Sequence, residues 1–132
     1  FSNRCDRELL VLADSQRLLQ VFVNLLGNAR DACDEHGHIQ VQAYNSESRI
    51  LVDVDDNGSG IPAELQSQIF EPFFTTKDPG AGTGLGLALV YSIMEDLGGS
   101  VQLTSPLQSG PEPGTRFTLQ LVEASYGEIF EV

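Results

Sequence analysis

Alternation of apolar and polar residues near the middle of the chain predicts two β-strands that each bury one face. The first covers residues 38–44 (HIQVQAY) and the second covers residues 49–55 (RILVDVD). The residues between them, 45–48, are Asn, Ser, Glu and Ser, a composition typical of turns. The sequence therefore predicts a β-hairpin at the centre of the chain.

Helices are predicted on both sides of this hairpin from apolar spacing and from capping residues. Asp14 is a good N-cap, Pro62 is a favourable first helical residue, and Gly98-Gly99 is a typical helix end. The predicted helices cover residues 15–34, 62–69 and 85–97, and further strands cover residues 8–13, 101–104 and 115–122.

The order of these elements, β-α-β-β-α-α-β-β, predicts the fold class. It is an α+β fold, a two-layer α/β sandwich with helices packed on one face of a mixed, mostly antiparallel sheet. The 132 residues are expected to form a single domain, 1–132, with a core at about 8–122 and a tail, 123–132, of unassigned role. Because the chain starts with Phe1 rather than Met, we expect it to be a segment of a longer protein.

Composition narrows the classes of protein to consider. The formal charge of −12, with only 7 Lys and Arg residues, argues against nucleic-acid binding. For the same reason, an anionic ligand would need a bound cation, backbone N–H groups or local basic side chains. No apolar run approaches the ~18 residues of a membrane span. Cys5 and Cys33 lie far apart without metal-ligand spacing, so we expect reduced thiols and a cytoplasmic location.

A polar stripe on the first predicted helix is the first candidate for a site. Gln20, Asn24, Asn28 and Asp31 recur at helical spacing among mostly apolar neighbours, so they share one face. A solvent-exposed face usually carries Lys and Glu, whereas amides and a carboxylate between apolar residues indicate a polar line that faces a site. Amide oxygens can bind Mg²⁺, which completes its shell with phosphate and water. A plain amphipathic helix is the alternative.

Two glycine-rich segments are the next candidates. Residues 56–60 (DNGSG) follow a strand, and their glycines permit close approach of a ligand to the backbone. Gly80, Gly82, Gly84 and Gly86 alternate just before a helix, where free N–H groups and the helix dipole favour a phosphate. Neither the P-loop pattern nor G-x-G-x-x-G fits, and a surface loop without a ligand stays an alternative.

A calcium-binding loop is a rival interpretation of the first glycine-rich segment. Asp53, Asp55, Asn57, Gly58 and Glu64 match the spacing of an EF-hand loop. An EF-hand requires a helix before the first ligand, however, and the preceding residues alternate with the period of a strand. The sequence therefore disfavours calcium.

Taken together and in order, these segments resemble the catalytic domain of sensor histidine kinases, within the superfamily shared with gyrase, MutL-type and heat-shock-chaperone ATPases. NLLGNARDA resembles the N box of that family, DNGSG and GTGLGL resemble its glycine boxes, and FEPFF resembles its F box. The resemblance covers about residues 8–122 and implies the Bergerat ATP-binding fold. The short segment between Phe74 and Gly84, with Thr75-Thr76-Lys77, resembles the nitrogen-regulation branch.

The resemblance implies a site for ATP and Mg²⁺. It places Mg²⁺, bound through the ATP phosphates, at Asn28 with Asn24 beside it, assigns the adenine amino group to Asp56, and makes Thr115 the hydroxyl that closes the adenine site. The other residues that it places around ATP are Asp31, Gly58, Gly60, Ile61, Phe70, Gly82, Thr83, Gly84, Leu85, Gly86 and Leu87.

The resemblance also implies phosphoryl transfer. The expected catalytic residues are Asn24, Asn28 and Lys77, and Arg30 is a further candidate phosphate contact, although Lys77 and Arg30 could equally be solvated surface charges. Phosphoryl transfer needs positioning and charge neutralisation more than covalent help. Hydrolases of the superfamily place a Glu where this chain has Asn24, and an amide is a poor general base, so a kinase is favoured.

The phosphoryl acceptor is expected outside this sequence. His36 and His38 fall in a predicted turn, and nothing here resembles an acceptor helix. The implied partners are the dimerisation and phosphoacceptor helices of the parent protein and a response regulator, with dimerisation only through the parent and no contact with nucleic acid or membrane. The alternatives are an anti-sigma-type serine kinase of the same fold and a nucleotide sensor without transferase activity.

Overall fold

The computed structural model describes residues 2–5, 14–33, 35–74 and 85–123. Within these residues the chain forms two α-helices and one five-stranded sheet. The helices are α1, Ser15–Ala32, and α2, Gly86–Asp96; a 3₁₀ turn covers Ala63–Leu65; the strands are β1, Ser2–Cys5, β2, Ile39–Ser46, β3, Arg49–Asp56, β4, Ser100–Thr104, and β5, Thr115–Val122.

The sheet has the strand order β1-β2-β3-β5-β4. Strand β1 pairs with β2 in parallel, whereas the other neighbouring strands are antiparallel. The prediction of a mixed, mostly antiparallel sheet is therefore confirmed. Strand β1 was not predicted, because its sequence SNRC has no apolar alternation, and the predicted strand 8–13 lies outside the described residues.

Both helices pack against the same face of the sheet and enclose one core. Helix α1 buries Val21, Leu25 and Ala29 at the i, i+4 spacing of one helix face. Every second residue of the central strands points toward the helices, as the strand period requires. The remaining core residues are Val41, Ile50, Val52, Val54, Ile69, Val90, Ile93, Met94, Val101, Phe117, Leu119 and Leu121. The predicted two-layer α+β sandwich is thus confirmed.

The turn between β2 and β3 is shorter than predicted. The strands extend to Ser46 and from Arg49, so only Glu47 and Ser48 connect them. Both have positive φ, 49° and 66°, as in a two-residue type I′ turn, whose twist matches that of the paired strands. The predicted turn over 45–48 was therefore too long, because pairing with β3 holds Asn45 and Ser46 in the ladder.

Helix α1 begins where the sequence predicts but ends two residues earlier. Asp14 caps α1 as expected, since its Oδ1 accepts the backbone N–H groups of Gln16 at 2.9 Å and Arg17 at 3.2 Å. The helix ends at Ala32, not at residue 34, and its last carbonyl accepts the N–H of Ser59.

The prediction of a helix over residues 62–69 is wrong. A 3₁₀ turn over Ala63–Leu65 is followed by further turns. Gln66 in this segment uses its side chain to bond the carbonyls of Ile61 and Ser105. Helix α2 matches its prediction within a residue at each end. Neither helix of the described residues is both long and apolar enough to cross a membrane.

Candidate functional site

The polar stripe of α1 lies beside the first turn of α2. Asn24 donates its Nδ2–H to the carbonyl of Gln20 at 3.0 Å, which leaves Oδ1 facing the other helix. A Cβ atom on Gly86 would lie 3.3 Å from that Oδ1, so the backbone at the start of α2 directly abuts the Asn24 amide. The structure thus brings the predicted N box and the end of the second glycine box together.

The other predicted site residues of α1 differ in how exposed they are to solvent. Asn28 is half-buried on the same helix. Asp31 is more exposed, and its Oδ1 lies 3.7 Å from Nε of Arg30. The Arg30 side chain is 80% exposed, as expected for a solvated surface charge. The contact of Arg30 with phosphate and the place of Asp31 in the ATP site stay predictions.

The end of β3 carries the most buried acidic side chain on the helix-facing side of the sheet. Asp56 is 7% exposed, and its register partner on β5 is Thr115, which is 2% exposed. One carboxylate oxygen of Asp56 accepts the N–H of Gly58 at 2.9 Å. The structure therefore places the two predicted adenine contacts on adjacent strands, at one end of the sandwich.

Glycine is required at two positions of the DNGSG turn. A Cβ atom on Gly58 would lie 2.3 Å from the carbonyl oxygen of Ala32, because this turn packs against the C-terminal end of α1. Gly60 has φ +75°, and a Cβ atom there would lie 2.9 Å from Cγ of Pro113. The turn is thus clamped between α1 and the loop that connects β4 and β5.

Asn57 fixes the turn to the preceding hairpin. Its backbone N–H donates to the carbonyl of His38 at 3.2 Å, and its Oδ1 accepts the His38 N–H at 2.6 Å. The thiol of Cys33 lies 3.6 Å from the same Oδ1. These contacts hold the side chain at position 57 against the segment that leads into β2.

Two residues that sequence reasoning missed complete this region. Ser105 Oγ accepts the N–H of Ile61 at 3.1 Å and donates to the carbonyl of Gly114 at 2.8 Å. Gln66 Nε2 bonds the carbonyls of Ile61 and Ser105 at 2.9 and 3.0 Å. The sequence marks both segments only as loop or short helix, so no local signal identifies these residues.

Three apolar residues of the predicted site pack against the core and form what we call the apolar wall. Ile61, Phe70 and Leu87 are partly buried and pack against the core. The ring of Phe70 lies 5.7 Å from Tyr91 and 6.2 Å from Phe117, measured between centroids. This wall is suited to a planar apolar group such as a purine ring.

Part of the predicted site falls outside the described residues. Lys77, Thr83 and Gly84 lie outside the described residues, as does Gly82. Leu85 is the N-cap of α2, is 42% exposed, and supplies no side-chain hydrogen bond to the first turn.

The calcium interpretation does not fit the geometry. Asp53 and Asp55 lie on β3 and point to the face opposite the helices, since they alternate with the apolar core residues of that strand. Asp53 accepts hydrogen bonds from Thr118 at 2.7 Å and Gln42 at 3.2 Å, and both oxygens of Asp55 lie 2.8 Å from Arg116. Among the described residues, no three His, Cys, Asp or Glu side chains converge on a possible metal position.

Burial raises the pKa of the Asp56 carboxyl above its ordinary value, and the neighbouring charge of Asp55 adds to this increase. The backbone N–H groups of Gly58 and Thr115 oppose the shift. The pKa of Asp56 is thus higher in the folded protein than in the unfolded protein. Its contribution to the free energy of unfolding is fully present below the unfolded-state pKa and is lost as pH rises through the folded-state pKa. A ligand that donates an N–H to the ionised carboxylate would offset this loss.

We expect the affinity for ADP to rise with pH through the titration of Asp56, because only the ionised carboxylate accepts two hydrogen bonds without donating one. The measurement is ADP binding by calorimetry between pH 4.5 and 7.5. Asp56→Asn is the control, since the ratio of wild-type to variant affinity cancels the titration of the nucleotide itself. A ratio that is constant over this range would contradict the prediction.

The sequence matches one protein family over most of its length. The profile of the family described as "Histidine kinase-, DNA gyrase B-, and HSP90-like ATPase" matches residues 13–125. The sensor histidine kinase ZraS of Escherichia coli (strain K12) is 46% identical over 111 residues, which form 84% of this chain and 23% of ZraS. The chain thus spans less than a quarter of that relative's length.

Solved structures of histidine kinases have the same fold. The nucleotide-free catalytic domain of ThkA has a TM-score of 0.77 and 38% identity, covering 93% of this chain and 78% of that chain. ThkA in complex with the response regulator protein TrrA has a TM-score of 0.73 and 34% identity, with coverage of 94% and 34%. Full-length ShkA in complex with AMPPNP has a TM-score of 0.78 and 28% identity, with coverage of 94% and 25%.

Proposed function

Because the chain belongs to the histidine kinase-, DNA gyrase B- and HSP90-like ATPase family, we propose that it binds Mg·ATP and supplies the γ-phosphoryl group to a histidine on a dimerisation helix outside this sequence. The observation that carries the proposal is the buried Asp56 carboxylate beside its register partner Thr115. A buried carboxylate that keeps acceptor capacity is suited to an exocyclic amine.

The adenine would lie against the apolar wall of Ile61, Phe70 and Leu87. Asp56 would accept the amino group, and Thr115 would contribute its hydroxyl. Gly58 and Gly60 would shape the pocket by holding the turn close to α1 and to the β4–β5 loop. The phosphates would extend toward the first turn of α2, where backbone N–H groups favour an anion.

The residues present fit a magnesium ion. The Asn24 side chain is oriented by its bond to Gln20 so that an amide oxygen, the kind of ligand that Mg²⁺ accepts, faces the start of α2. Asn28 follows one turn later and would supply the second amide oxygen. When bound, the ion would neutralise phosphate charge during transfer.

A kinase is favoured over a hydrolase by the chemistry of position 24. The Asn24 side chain is an amide and therefore cannot serve as an effective general base for water. A nucleophile must then come from the acceptor protein. His36 and His38 lie in the connection between α1 and β2, and the backbone of His38 is held by Asn57.

The biological setting is proposed from the relatives. The acceptor helices would belong to the same parent protein, which would dimerise through them, and a response regulator would receive the phosphoryl group in the cytoplasm. We propose that residues 1–132 act as one domain that contacts neither nucleic acid nor membrane. The nitrogen-regulation subtype stays a prediction, because most of the segment that carries it lies outside the described residues.

Asp56→Ala tests the binding site. We expect it to weaken Mg·ADP binding about 30-fold, because it removes a hydrogen bond to a charged acceptor. The measurement is calorimetric titration, supported by thermal unfolding with and without Mg·ADP. Asp96→Ala is the matched control, since Asp96 is an exposed aspartate paired with Arg17 at the surface. If wild type shows no nucleotide-dependent signal, the proposed function is wrong.

Phosphoryl transfer needs a second experiment. The chain is mixed with the acceptor helices of its own parent protein, Mg²⁺ and ATP labelled at the γ-phosphate. Label that is lost in acid and stable in base identifies phosphohistidine and supports the main proposal. Acid-stable label identifies a serine kinase, and nucleotide binding without label identifies a nucleotide sensor.

A further inference from the structure

Resting on the proposed function, we infer that Ser105 holds the Thr115 hydroxyl as a hydrogen-bond acceptor and thereby makes the site selective for a 6-amino purine over a 6-oxo purine. Ser105 is a positioning residue in this scheme, because it acts through Thr115. The inference depends on the direction of three hydrogen bonds around one hydroxyl group.

The three partners of Ser105 Oγ determine where its hydrogen points. The carbonyl of Gly114, at 2.8 Å, can only accept, so it takes the single hydroxyl hydrogen of Ser105. The backbone N–H of Ile61, at 3.1 Å, can only donate, so it occupies one lone pair. The remaining lone pair faces Thr115 Oγ1 at 3.3 Å, and that contact must therefore be a bond donated by Thr115.

The orientation of Thr115 follows directly. Its hydroxyl hydrogen is directed at Ser105, so Oγ1 has only lone pairs left for a ligand. Asp56, its register partner on β3, is a carboxylate and also only accepts when ionised. Both side chains are buried on the helix-facing side of the sheet, so the site presents neighbouring acceptors and no side-chain donor from this pair.

This arrangement distinguishes the two classes of purine at position 6. An amino group donates two hydrogens and satisfies two acceptors. An oxo group brings a third acceptor against them, and the unpaired buried oxygens make binding unfavourable. Asp56 alone does not distinguish the two classes, since a 6-oxo purine also carries an N–H at position 1 that a carboxylate can accept.

Ser105 has little freedom to adopt another arrangement. A Cβ atom on Gly60 would lie 3.1 Å from Ser105 Oγ, so the glycine backbone packs closely against this hydroxyl. Gln66 holds the Ser105 carbonyl at 3.0 Å and also bonds the Ile61 carbonyl. The hydroxyl is therefore confined by neighbours on both sides.

The test compares ADP with IDP, which differ only in the amino or oxo group at position 6 and the N1 hydrogen. We expect Ser105→Ala to lower the preference for ADP over IDP about tenfold, because the released Thr115 hydroxyl can turn and donate to the oxo group. Dissociation constants of both nucleotides, with Mg²⁺, are measured by calorimetry for wild type and variant.

Gln66→Ala is the control for a purely structural role. It removes the side-chain hydrogen bonds to the carbonyls of Ile61 and Ser105 and leaves the Ser105 hydroxyl in place. We expect it to weaken both nucleotides equally. Thr115→Val removes the oriented hydroxyl, so Ser105→Ala should have no further effect on the preference in that background. Should Ser105→Ala fail to fold, Ser105→Cys takes its place, since a thiol is a weak donor and acceptor.

The outcomes separate this inference from the proposed function. A wild-type chain that binds neither nucleotide overturns the proposed function. A wild-type chain that prefers ADP, with the same preference in Ser105→Ala or an equal loss of preference in Gln66→Ala, overturns only the role of Ser105. A loss of preference in Ser105→Ala alone supports it.

Discussion

Replacing Gly58 with alanine is expected to lower the free energy of unfolding by about 3 kcal/mol and to abolish ADP binding. A Cβ atom at this position would lie 2.3 Å from the carbonyl oxygen and 2.7 Å from the carbonyl carbon of Ala32. Both are backbone atoms at the end of α1, so the clash cannot be relieved by a rotamer change. Either the turn or the helix end must move, and the Asp56 carboxylate, which accepts the Gly58 N–H, moves with the turn.

Gly27→Ala is the matched control for this prediction. Gly27 lies within α1, and a Cβ atom there would meet nothing within 4 Å. Because glycine costs a helix interior about 0.5–1 kcal/mol relative to alanine, this variant should be more stable than wild type and should bind ADP normally. Urea unfolding of wild type and both variants measures the two changes in the free energy of unfolding. Equal stability of the two variants would refute the contact-based explanation.

Leu25→Ala should lower the free energy of unfolding by about 3 kcal/mol, because it opens a cavity between α1 and the sheet. Leu25 is 1% exposed and belongs to the core cluster that joins both helices to the strands. Its neighbour Asn24 carries the amide that abuts Gly86. We therefore also expect weaker ADP binding, because α1 would pack less firmly against the sheet.

Leu19→Ala is the matched control on the same helix. Leu19 is 63% exposed, so the same substitution should change the free energy of unfolding by no more than about 0.5 kcal/mol. Chemical unfolding of both variants at constant pH gives the comparison. A loss at Leu19 as large as that at Leu25 would mean that the outer face of α1 is covered in solution.

Local pattern predicted much of the fold. The Asp14 cap, the strands of the β2–β3 hairpin and the limits of α2 depend on contacts within a few residues, so spacing and capping residues indicate them. The candidate site was predicted in the same way, as polar positions on one helix face and glycines after a strand. Asn24 and Asp56 were accordingly candidates before any tertiary contact was known.

Other features depend on contacts between distant segments. Residues 62–69 have the composition of a short helix, but Gln66 bonds the carbonyls of Ile61 and Ser105, and the segment forms turns instead. The segment that forms β1 has no apolar alternation and is a strand because β2 offers it a partner edge. Leu19 and Leu25 look alike in the sequence, and only packing against the sheet separates them.

The sequence by itself determined the order of α1, α2 and strands β2 to β5, the α+β class and the residue types available to the site. Tertiary structure alone decided which atoms of those residues remain available to a ligand. Ser105 and Ile61 lie 44 residues apart in sequence, yet the bonds that Ser105 makes direct the Thr115 hydroxyl. Hydrogen-bond direction depends on every partner around an atom, and those partners come together only when the sheet, the helices and the β4–β5 loop have packed.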